Sequence, residues 1–551
     1  MPFQPAATPL PASGPSRRPF FRWAGLLLLA AALLYGPFLW SPLVFDDMYF
    51  FDGKAPAAAG ALFDFGRRWF AYASFGWTWN GLGQDLIWFR LGNLLLHGGV
   101  GIALFALLRQ LFAAAPLPSF GFRSDSTLSP DAWAFCCALL FLLHPVSVYA
   151  VAYLTQRSTV MATLGAWLTL LFHWRGLTTG KTKWFAAAVA GYFFALFSKE
   201  HAIMVPAVAL ALTALLPAGA ARRIPWGAFL AYGIIAGFMV LKIKGLLGAS
   251  YEPFAQGMLE AMPGAPSGNP YAASIATQAT LFFKYLGLWM FPYPYWMSVD
   301  MREPLAPSLL AWPYVAGLAG FVAFGVTAMG LLLRTEKLRL LGFALLFPWL
   351  LFATELAAVR IQEPFVLYRG YLWMGGALAA LPWILAPLGA VRSRWVVGIA
   401  AALLALAAAD RLRTFSHPLL LWDDAAILAQ RRANPPGTER ILYNRGVEYQ
   451  RLRRFDEALA DYDAAFKINS KDGHIHHNRA VVLAELGRHP EALAEFDAAL
   501  GLLPDNRKSY LGRGISRLAL GDRPGARQDF RTACQLEMPT ACDRYRELGG
   551  Q

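Results

Sequence analysis

The sequence has little charge, few cysteines and none of the common nucleotide-binding or hydrolase motifs. Charged residues make up 15% of the chain, against roughly 25% in an average soluble domain. No Walker loop, dinucleotide fingerprint or nucleophile elbow is present, which argues against ATP-driven transport and serine-hydrolase chemistry. Of the four cysteines, Cys136 and Cys137 lie in an apolar run, whereas Cys534 and Cys542 can pair in an oxidising compartment.

Apolar residues dominate what is present. They make up 57% of the 551 residues, and the 14% that are aromatic gather where apolar runs end, as interfacial Trp and Tyr do in membrane proteins. The net charge of +14 would suggest nucleic acid in a soluble protein. Here the basic excess of residues 1–410 falls in short breaks between apolar runs, so it indicates membrane topology and no nucleic-acid partner.

Eleven apolar runs predict membrane-spanning helices, since a bilayer core needs about 20 residues. They predict an all-α, polytopic membrane domain over 22–410, behind a cytoplasmic tail over 1–21. The first run lacks a small-residue cleavage site at its end, so it is interpreted as a retained span. The predicted spans are 23–40, 87–110, 131–150, 157–175, 184–199, 201–217, 226–243, 307–333, 340–358, 370–390 and 395–410.

The positive-inside rule orients these spans. Alternate breaks between them are basic, and the rule places those breaks in the cytoplasm. Loops 43–86 and 244–306 are then external, and an odd number of spans places the C-terminus outside too. Segment 274–297 is apolar but interrupted by Lys284 and prolines, so it is expected to be interfacial or re-entrant; a full span there would reverse the C-terminus. The basic residues are Arg109, Arg123, Arg175, Lys181, Lys183, Arg222, Arg223, Arg334, Lys337, Arg339, Arg392 and Arg394.

A 34-residue period appears after residue 440. Small and aromatic residues recur at this spacing, which is typical of tetratricopeptide repeats stacked as helical hairpins. Three repeats are predicted, over 441–474, 475–508 and 509–542, preceded by a linker helix over 411–440 and followed by a tail over 543–551. The recurring sets are Leu452, Leu486 and Leu520; Ala458, Ala492 and Ala526; Tyr462, Phe496 and Phe530; and Ala465, Ala499 and Ala533.

Two adjacent carboxylates, Asp46 and Asp47, follow the first span directly. Like charges at a membrane edge are costly, so a function is expected for them. A carboxylate pair beside cations suits transfer of a group from a phosphate, because the acid can deprotonate a weak nucleophile while Arg and Lys bind the leaving phosphate. Other external polar residues that stand out are Asp52, Arg67, Arg68, Asp85, His144, Gln156, Arg157, Lys199, Glu200, His201, Lys284, Asp300, Tyr368 and Arg369.

Structural roles compete with the catalytic interpretation. The Asp pair can cap a helix, Lys199 and Glu200 can form a tight external turn, and His144 before Pro145 can end a span. No cofactor is assigned, and a divalent metal is left open without being indicated. The histidines that begin a repeat helix are interpreted as solvated rather than metal-binding; they are His474, His476 and His477.

The order of motifs resembles one known family. External Asp-Asp is followed by "RLGNLLLHGGVGIALFALLRQL", "LLHPVSVYAVAYLTQRSTVMATL", "FSKEHAIMVP", "VLYRGYLWMGG" and the repeats. This order resembles the transmembrane and tetratricopeptide-repeat proteins of the GT-C glycosyltransferase superfamily, relatives of protein O-mannosyltransferases. The resemblance implies a catalytic base at Asp46 with Asp47 beside it. It places donor-binding residues at His144, Arg157, Lys199, Glu200, Tyr368 and Arg369.

The resemblance implies a membrane enzyme that transfers a sugar from a polyprenyl-phosphate carrier on the outer face. The Ala-, Leu- and Arg-rich composition and the compact loops indicate a bacterial protein, so the expected membrane is the inner membrane and the expected outer face is the periplasmic one. The expected acceptor is Ser or Thr of a protein or peptide held by the periplasmic repeats. One departure is Tyr368-Arg369, where animal members often have Glu-Arg before "YLY". The alternatives are a lipid or polysaccharide glycosyltransferase of the envelope and a non-enzymatic membrane scaffold.

Overall fold

The computed structural model describes residues 17–60, 63, 66–115, 117, 128–216, 224–250, 269–334 and 336–550. Within these ranges the helices and turns leave no β-strand, which confirms the predicted all-α class. Most of the predicted tail over 1–21 and the predicted cytoplasmic residues Arg123, Arg222 and Arg223 lie outside the described residues.

The chain divides into two compact units. The first, here called the membrane unit, comprises Met1–Val299 and Pro304–His417. The second, here called the repeat unit, comprises Asp300–Glu303 and Pro418–Gln551. The last helix of the membrane unit runs to Thr414, beyond the predicted domain end at 410. From Pro418 onward the predicted linker belongs to the repeat unit.

The membrane unit contains seventeen α-helices within the described ranges, joined by short 3₁₀ and π segments. They are α1 (Arg17–Tyr35), α2 (Asp46–Tyr49), α3 (Ala55–Gly60), α4 (Trp69–Leu82), α5 (Leu86–Ala114), α6 (Pro130–Leu142), α7 (Pro145–Val151), α8 (Arg157–Thr179), α9 (Thr182–Ser198), α10 (Val205–Thr213), α11 (Trp226–Ile243), α12 (Pro270–Met290), α13 (Tyr314–Leu333), α14 (Glu336–Phe352), α15 (Gly370–Met374), α16 (Leu381–Leu385) and α17 (Ala390–Thr414).

Several helix ends follow from local sequence. Asp85 caps α5 by accepting the N–H of Ile87 at 3.2 Å, and Ser129 caps α6 by accepting the N–H of Ala132 at 3.3 Å. Such side chains satisfy N–H groups that lack an intrahelical partner. At the other end of α8, Gly180 adopts a φ of 67°, a left-handed conformation that closes helices and suits glycine.

Seven helices in the described ranges are long and apolar enough to cross a bilayer, or eight if the bent pair α6 and α7 forms one broken span. They match eight of the eleven predicted spans. The other three are helical as well: α8 has 23 residues but is less apolar, α9 has 17 residues, and Glu200–Thr213 is shorter. Helix α12, in the segment expected to be interfacial or re-entrant, is not among the seven.

Helices α8 and α9 pack through small residues. A Cβ atom added at Gly165 would lie 2.8 Å from the backbone of Ala195, and one at Gly191 would lie 3.0 Å from Thr169 Oγ1. Glycines at such positions let two helix backbones approach closely, as is common between helices in membranes. The close approach at Ala195 lies about one turn before the end of α9 at Ser198, after which Lys199 begins the next segment.

The repeat unit is a row of helical hairpins. Its helices are α18 (Pro418–Arg431), α19 (Thr438–Arg451), α20 (Phe455–Ile468), α21 (Gly473–Glu485), α22 (His489–Leu502), α23 (Arg507–Ala519), α24 (Arg523–Gln535) and α25 (Pro539–Glu547). The alanines and aromatics predicted to fill the hairpins, from Ala458 to Ala533, are all fully buried. Gly446 lies against the ring of Tyr462, where a Cβ atom would come within 2.6 Å. The predicted repeat pattern is therefore confirmed.

Arginines at the same 34-residue spacing join neighbouring hairpins. Arg479 on α21 pairs with Glu495 of its own hairpin and with Asp463 of the preceding one. Arg513 on α23 pairs in the same way with Asp529 at 2.7 Å and Asp497 at 2.6 Å. Each guanidinium presents several donors in a fixed plane, so it can hold two carboxylates at once.

Replacing Arg513 with Met is expected to destabilise the last hairpin by about 2 kcal/mol, because the buried Asp529 carboxylate loses a two-point partner and keeps a single one. The side chain of Asp529 is only 2% exposed, and Arg517 would be its remaining partner. Hydrogen exchange of α23 and α24 amides in the full-length protein measures the loss. The control Arg488→Met removes an exposed pair with Glu491 and should cost less than about 0.5 kcal/mol; equal losses would contradict the prediction.

The C-terminal helix is attached covalently. Cys534 on α24 and Cys542 on α25 form a disulfide, with Cα atoms 4.6 Å apart. The sequence left this pairing open. The other two cysteines, Cys136 and Cys137, are free and buried in α6, as expected for small apolar side chains.

Candidate functional site

The two adjacent carboxylates lie in the first turn of the short helix α2. The preceding residue, Phe45, has φ 55° and ψ −134°, a conformation that a non-glycine residue rarely adopts. Such strain costs on the order of 1 to 3 kcal/mol and is concentrated at functional sites. The backbone is therefore bent sharply just where the Asp pair begins.

Asp47 is fully buried. Its two carboxylate oxygens accept the backbone N–H groups of Leu154 at 3.0 Å and Thr155 at 2.8 Å. Burial raises the pKa of the Asp47 carboxyl to about 7, although both N–H donors and the nearby Arg90 act in the opposite direction. Asp47 therefore joins α2 to the segment between α7 and α8 and has no face open to a substrate.

Asp46 has a different environment. It is exposed, and its Oδ2 accepts a hydrogen bond from the hydroxyl of Tyr153 at 2.8 Å. When two neighbouring carboxylates differ in this way, one exposed and one buried, they can take different chemical roles. The geometry favours Asp46 as the proton acceptor and Asp47 as the residue that holds it in place.

Asp47 is expected to make stability depend on pH. The folded protein retains a proton on Asp47 that the unfolded chain releases above about pH 4, so stability falls as pH rises from about 4 to about 7. The thermal midpoint of wild-type protein in detergent should fall by several degrees more over this interval than that of Asp47→Asn. Differential scanning fluorimetry measures both curves, and equal slopes would contradict the raised pKa.

A second group of charged side chains, here called the charge cluster, comes from four separate segments. Arg68 precedes α4, Lys199 to His201 follow α9, Glu355 and Arg360 follow α14, and Arg369 precedes α15. The cluster therefore assembles only when these helices pack. Its members are Arg68, Lys199, Glu200, His201, Glu355, Arg360 and Arg369.

Two carboxylates organise the charge cluster. Glu200 accepts two hydrogen bonds from Arg68, from Nε at 3.2 Å and from Nη2 at 2.8 Å. This two-point contact holds the pKa of the Arg68 guanidinium above its usual value. Glu355, 1% exposed, lies within ion-pair distance of three partners: His201 at 3.3 Å, Arg369 at 3.4 Å and Arg360 at 3.7 Å.

Lys199 is 4% exposed and donates to two neutral acceptors. Its Nζ lies 3.1 Å from Gln156 Oε1 and 2.6 Å from Thr159 Oγ1, and 4.9 Å from the centre of the Tyr368 ring. A buried ammonium with uncharged partners is unfavourable unless an anion compensates it. Together with His201, Arg369 and Thr159, Lys199 lines a small cavity.

Two aromatic rings connect Asp46 to the charge cluster. The hydroxyl of Tyr153 donates to Asp46, and its ring lies edge-on to that of Tyr368 with centroids 6.2 Å apart. Tyr368 in turn lies beneath the Lys199 ammonium. The sequence-predicted residues Asp46, Tyr368 and Lys199 are thus brought together, and Glu200 and Arg369 lie in the adjoining cluster.

Arg157 and His144 lie elsewhere. The Arg157 guanidinium is fully buried, donates to Asn93 Oδ1 at 2.7 Å and to the Phe89 carbonyl at 2.7 Å, and packs 4.1 Å from the Phe75 ring centre. His144 caps α7 through Val146 N–H and stacks on Trp289 at 4.1 Å. These contacts give both residues structural partners outside the charge cluster.

Three residues of the site were missed in the sequence. Glu355 is an acid inside an apolar run, and this alone is a signal for function in a membrane protein. Arg360 follows it closely and carries the same kind of signal. Tyr153 has no such signal, because an aromatic residue at the end of an apolar helix is ordinary in membrane proteins.

Comparison with known proteins concerns the repeat unit. The tetratricopeptide-repeat family model matches residues 443–507. These residues are tetratricopeptide repeats. Among curated proteins, none matches the chain significantly. Similar solved structures include the Arabidopsis OM64 TPR domain, 27% identical, with a TM-score of 0.20 over 20% of this chain and 93% of that chain. Another is the first TPR of Spaghetti (RPAP3) bound to an HSP90 peptide, 24% identical, with a TM-score of 0.20 over 20% and 90%.

Of the three histidines that begin a repeat helix, His474 is exposed, as expected, whereas the other two are enclosed by protein partners. His476 contacts Glu495 Oε2 at 2.7 Å and the Ser470 carbonyl at 3.1 Å, and His477 contacts Ser509 Oγ at 2.8 Å. Burial lowers the pKa of His477 to about 4. In the part of the chain that the structure describes, no three His, Cys, Asp or Glu residues are grouped to hold a metal ion.

Proposed function

We propose that this protein is a membrane glycosyltransferase of the GT-C type that transfers a sugar from a polyprenyl-phosphate carrier to Ser or Thr of a protein. The observation that carries the proposal is the exposed Asp46 carboxylate, oriented by Tyr153 and joined through Tyr368 to the buried Lys199 ammonium. A base and a phosphate-binding cation at one site are what such a transfer requires.

The reaction uses each group in turn. Asp46 accepts the proton of the acceptor hydroxyl while its oxygen forms a bond to the anomeric carbon of the sugar. The bond from that carbon to the phosphate oxygen breaks, and the electron pair leaves with the lipid phosphate. Lys199 and Arg369 stabilise the charge that develops on this phosphate. Attack opposite the leaving group inverts the anomeric centre.

We propose that the membrane unit spans the bacterial inner membrane eleven times, with α8, α9 and Glu200–Thr213 added to the eight apolar spans. Helix α8, with 23 residues, extends about 34 Å, which is long enough to cross a bilayer core. With basic breaks in the cytoplasm, residues 43–86 face the periplasm, and the tetratricopeptide repeats are periplasmic as well. The disulfide between Cys534 and Cys542 suits that oxidising compartment.

The proposed location predicts that Cys534 and Cys542 are oxidised in cells. Trapping with a polyethylene-glycol maleimide after denaturation should modify only Cys136 and Cys137, and prior reduction should add two further labels. A variant with Cys136 and Cys137 replaced by Ala provides the control, since it should show no label before reduction and two after it. Labelling of all four cysteines without reduction would contradict a periplasmic C-terminus.

The tetratricopeptide repeats are proposed to hold the acceptor. Such repeats form a concave surface that binds extended peptide segments, and the Spaghetti (RPAP3) structure contains an HSP90 peptide. A peptide-binding domain in the same chain as a transferase favours a protein acceptor over a lipid.

Intact-mass spectrometry of envelope proteins, with and without the gene, tests the proposed function. A sugar-sized mass increment that disappears on deletion and returns with the gene supports protein glycosylation. A glycan lost from lipid or polysaccharide instead identifies the alternative glycosyltransferases of the envelope. Unchanged glycans, with an envelope assembly lost only when the repeats are deleted, would identify a scaffold and contradict the proposal.

A further inference from the structure

Glu355 is the charged residue at the centre of the cluster, and its contacts are loose. It lies in the 3₁₀ segment Ala353–Ala357 that follows α14. Its ion-pair distances of 3.3 to 3.7 Å exceed the 2.7 to 2.9 Å typical of charge-assisted hydrogen bonds. In the described part of the chain, neither of its carboxylate oxygens makes a hydrogen bond.

The neighbouring pair provides a comparison within the same cluster. Glu200 and Arg68 meet through two hydrogen bonds of 2.8 and 3.2 Å, so that pair is closed. Glu355, in contrast, balances the charge of the surrounding cations without accepting a well-formed hydrogen bond from any of them. A partner that offered better geometry to Arg369 would displace one long contact, and the buried Glu355 carboxylate would keep His201 and Arg360 beside it.

The cations around Glu355 also face the small cavity. Its lining includes Lys199, His201 and Arg369. Arg369 Nη1 and His201 Nδ1 are buried and make no hydrogen bond within the described residues. Buried N–H groups and ring nitrogens without partners are uncommon, and here they converge with a Lys199 ammonium whose acceptors are neutral.

We propose that Glu355 is a stand-in for a lipid-linked phosphate: it holds Arg369 and His201 in the donor-free protein and gives up Arg369 when the phosphate enters. This inference rests on the proposed function and names a positioning residue for its donor. Phosphate oxygens can meet the Arg369 fork at two points and reach the third N–H of Lys199. The cavity is small, so the side chains that line it must move apart to admit a phosphate.

If Glu355 competes with the phosphate for Arg369, removing its charge should raise the affinity for the phosphate. A purely structural role predicts the opposite change. Glu355→Gln keeps the size of the side chain but removes the competing charge, so farnesyl phosphate should bind the full-length protein in detergent about tenfold more tightly. If Glu355 only supports Arg369, the same variant should bind more weakly. Glu355→Asp, which keeps the charge, should bind close to wild type.

A second pair of variants isolates the contact with Arg369. Arg369→Met should weaken binding of farnesyl phosphate, and Glu355→Gln added to Arg369→Met should restore little of it, because the competition is for that guanidinium. Thermal midpoints establish that each variant is folded. If Glu355→Gln still raises the affinity for farnesyl phosphate tenfold in the Arg369→Met protein, the proposed exchange at Arg369 is wrong.

Each binding outcome separates the inference from the proposed function. If wild type binds farnesyl phosphate and Glu355→Gln binds it no better, the stand-in is overturned and the transferase stands. If neither protein binds it, both the stand-in and the lipid-phosphate donor are overturned. If Glu355→Gln binds inorganic phosphate more tightly than wild type does, but not farnesyl phosphate, a phosphate does displace Glu355. That result would contradict the proposal that the phosphate is carried by a lipid.

Discussion

Replacing Asp46 with Asn is expected to reduce sugar transfer by about a thousandfold, within the range that a general base contributes. Asn keeps the shape of the side chain and can still accept the hydrogen bond from Tyr153, but it cannot take the proton of the acceptor hydroxyl. Donor binding should change little, because the proposal assigns the phosphate to Lys199 and Arg369. Single-turnover transfer to a Ser-containing peptide, measured beside farnesyl phosphate binding, separates the two effects.

Asp52→Asn is the matched control. Asp52 is exposed and lies in the segment that follows α2, so the same change six residues away should leave transfer within about twofold of wild type. Full activity of folded Asp46→Asn protein would remove Asp46 from the mechanism. A loss shared equally by both variants would point to the total charge of residues 46–54 rather than to Asp46.

Replacing Lys199 with Met is expected to lower the rate of transfer by about a hundredfold to a thousandfold, comparable to the removal of one donor to a developing oxyanion. Met has similar length and no charge, so the packing above the Tyr368 ring is kept. The ammonium acts on the phosphate more strongly as its negative charge grows, so kcat should fall more than donor affinity. Steady-state kinetics with a polyprenyl-phosphate sugar measure both quantities.

The result must be separated from a change in folding. Lys199 is buried with neutral partners, so its removal is expected to leave the thermal midpoint unchanged or to raise it. Lys54→Met, at an exposed position between α2 and α3, controls for loss of a positive charge and should leave transfer unchanged. A large fall in kcat without any loss of stability supports the assigned role, and an unchanged kcat overturns it.

The repeat unit was predictable because its structure is set by local pattern. A 34-residue period places Ala458 and Tyr462 on faces that touch, and the same contacts recur in each hairpin. The membrane helices were predictable where length and apolarity coincide, as in α5. Helix α8 was less clear, because a helix that packs among other helices can retain polar residues that an isolated span would exclude.

The site was only partly predictable. Adjacency in sequence identified Asp46 with Asp47 and Lys199 with Glu200, yet it could not show that the two members of each pair have different surroundings. Asp47 is buried against backbone N–H groups while Asp46 is exposed, and this depends on where α7 ends. Arg157 carries the same charge as Arg369, but the contacts that enclose it come from α4 and α5. Such assignments require the packing of distant segments.

Arg90 has a consequence for how the sequence can vary. From α5 its guanidinium donates to the carbonyls of Ser41, Pro42 and Ala152, and so connects the chain just before Asp46 with the chain just before Tyr153. All three acceptors are main-chain oxygens, which every amino acid possesses. The contact with Arg90 therefore sets no requirement on the side chains at 41, 42 and 152, which packing alone restricts, whereas it does require an arginine at 90 to keep the carboxylate in its place.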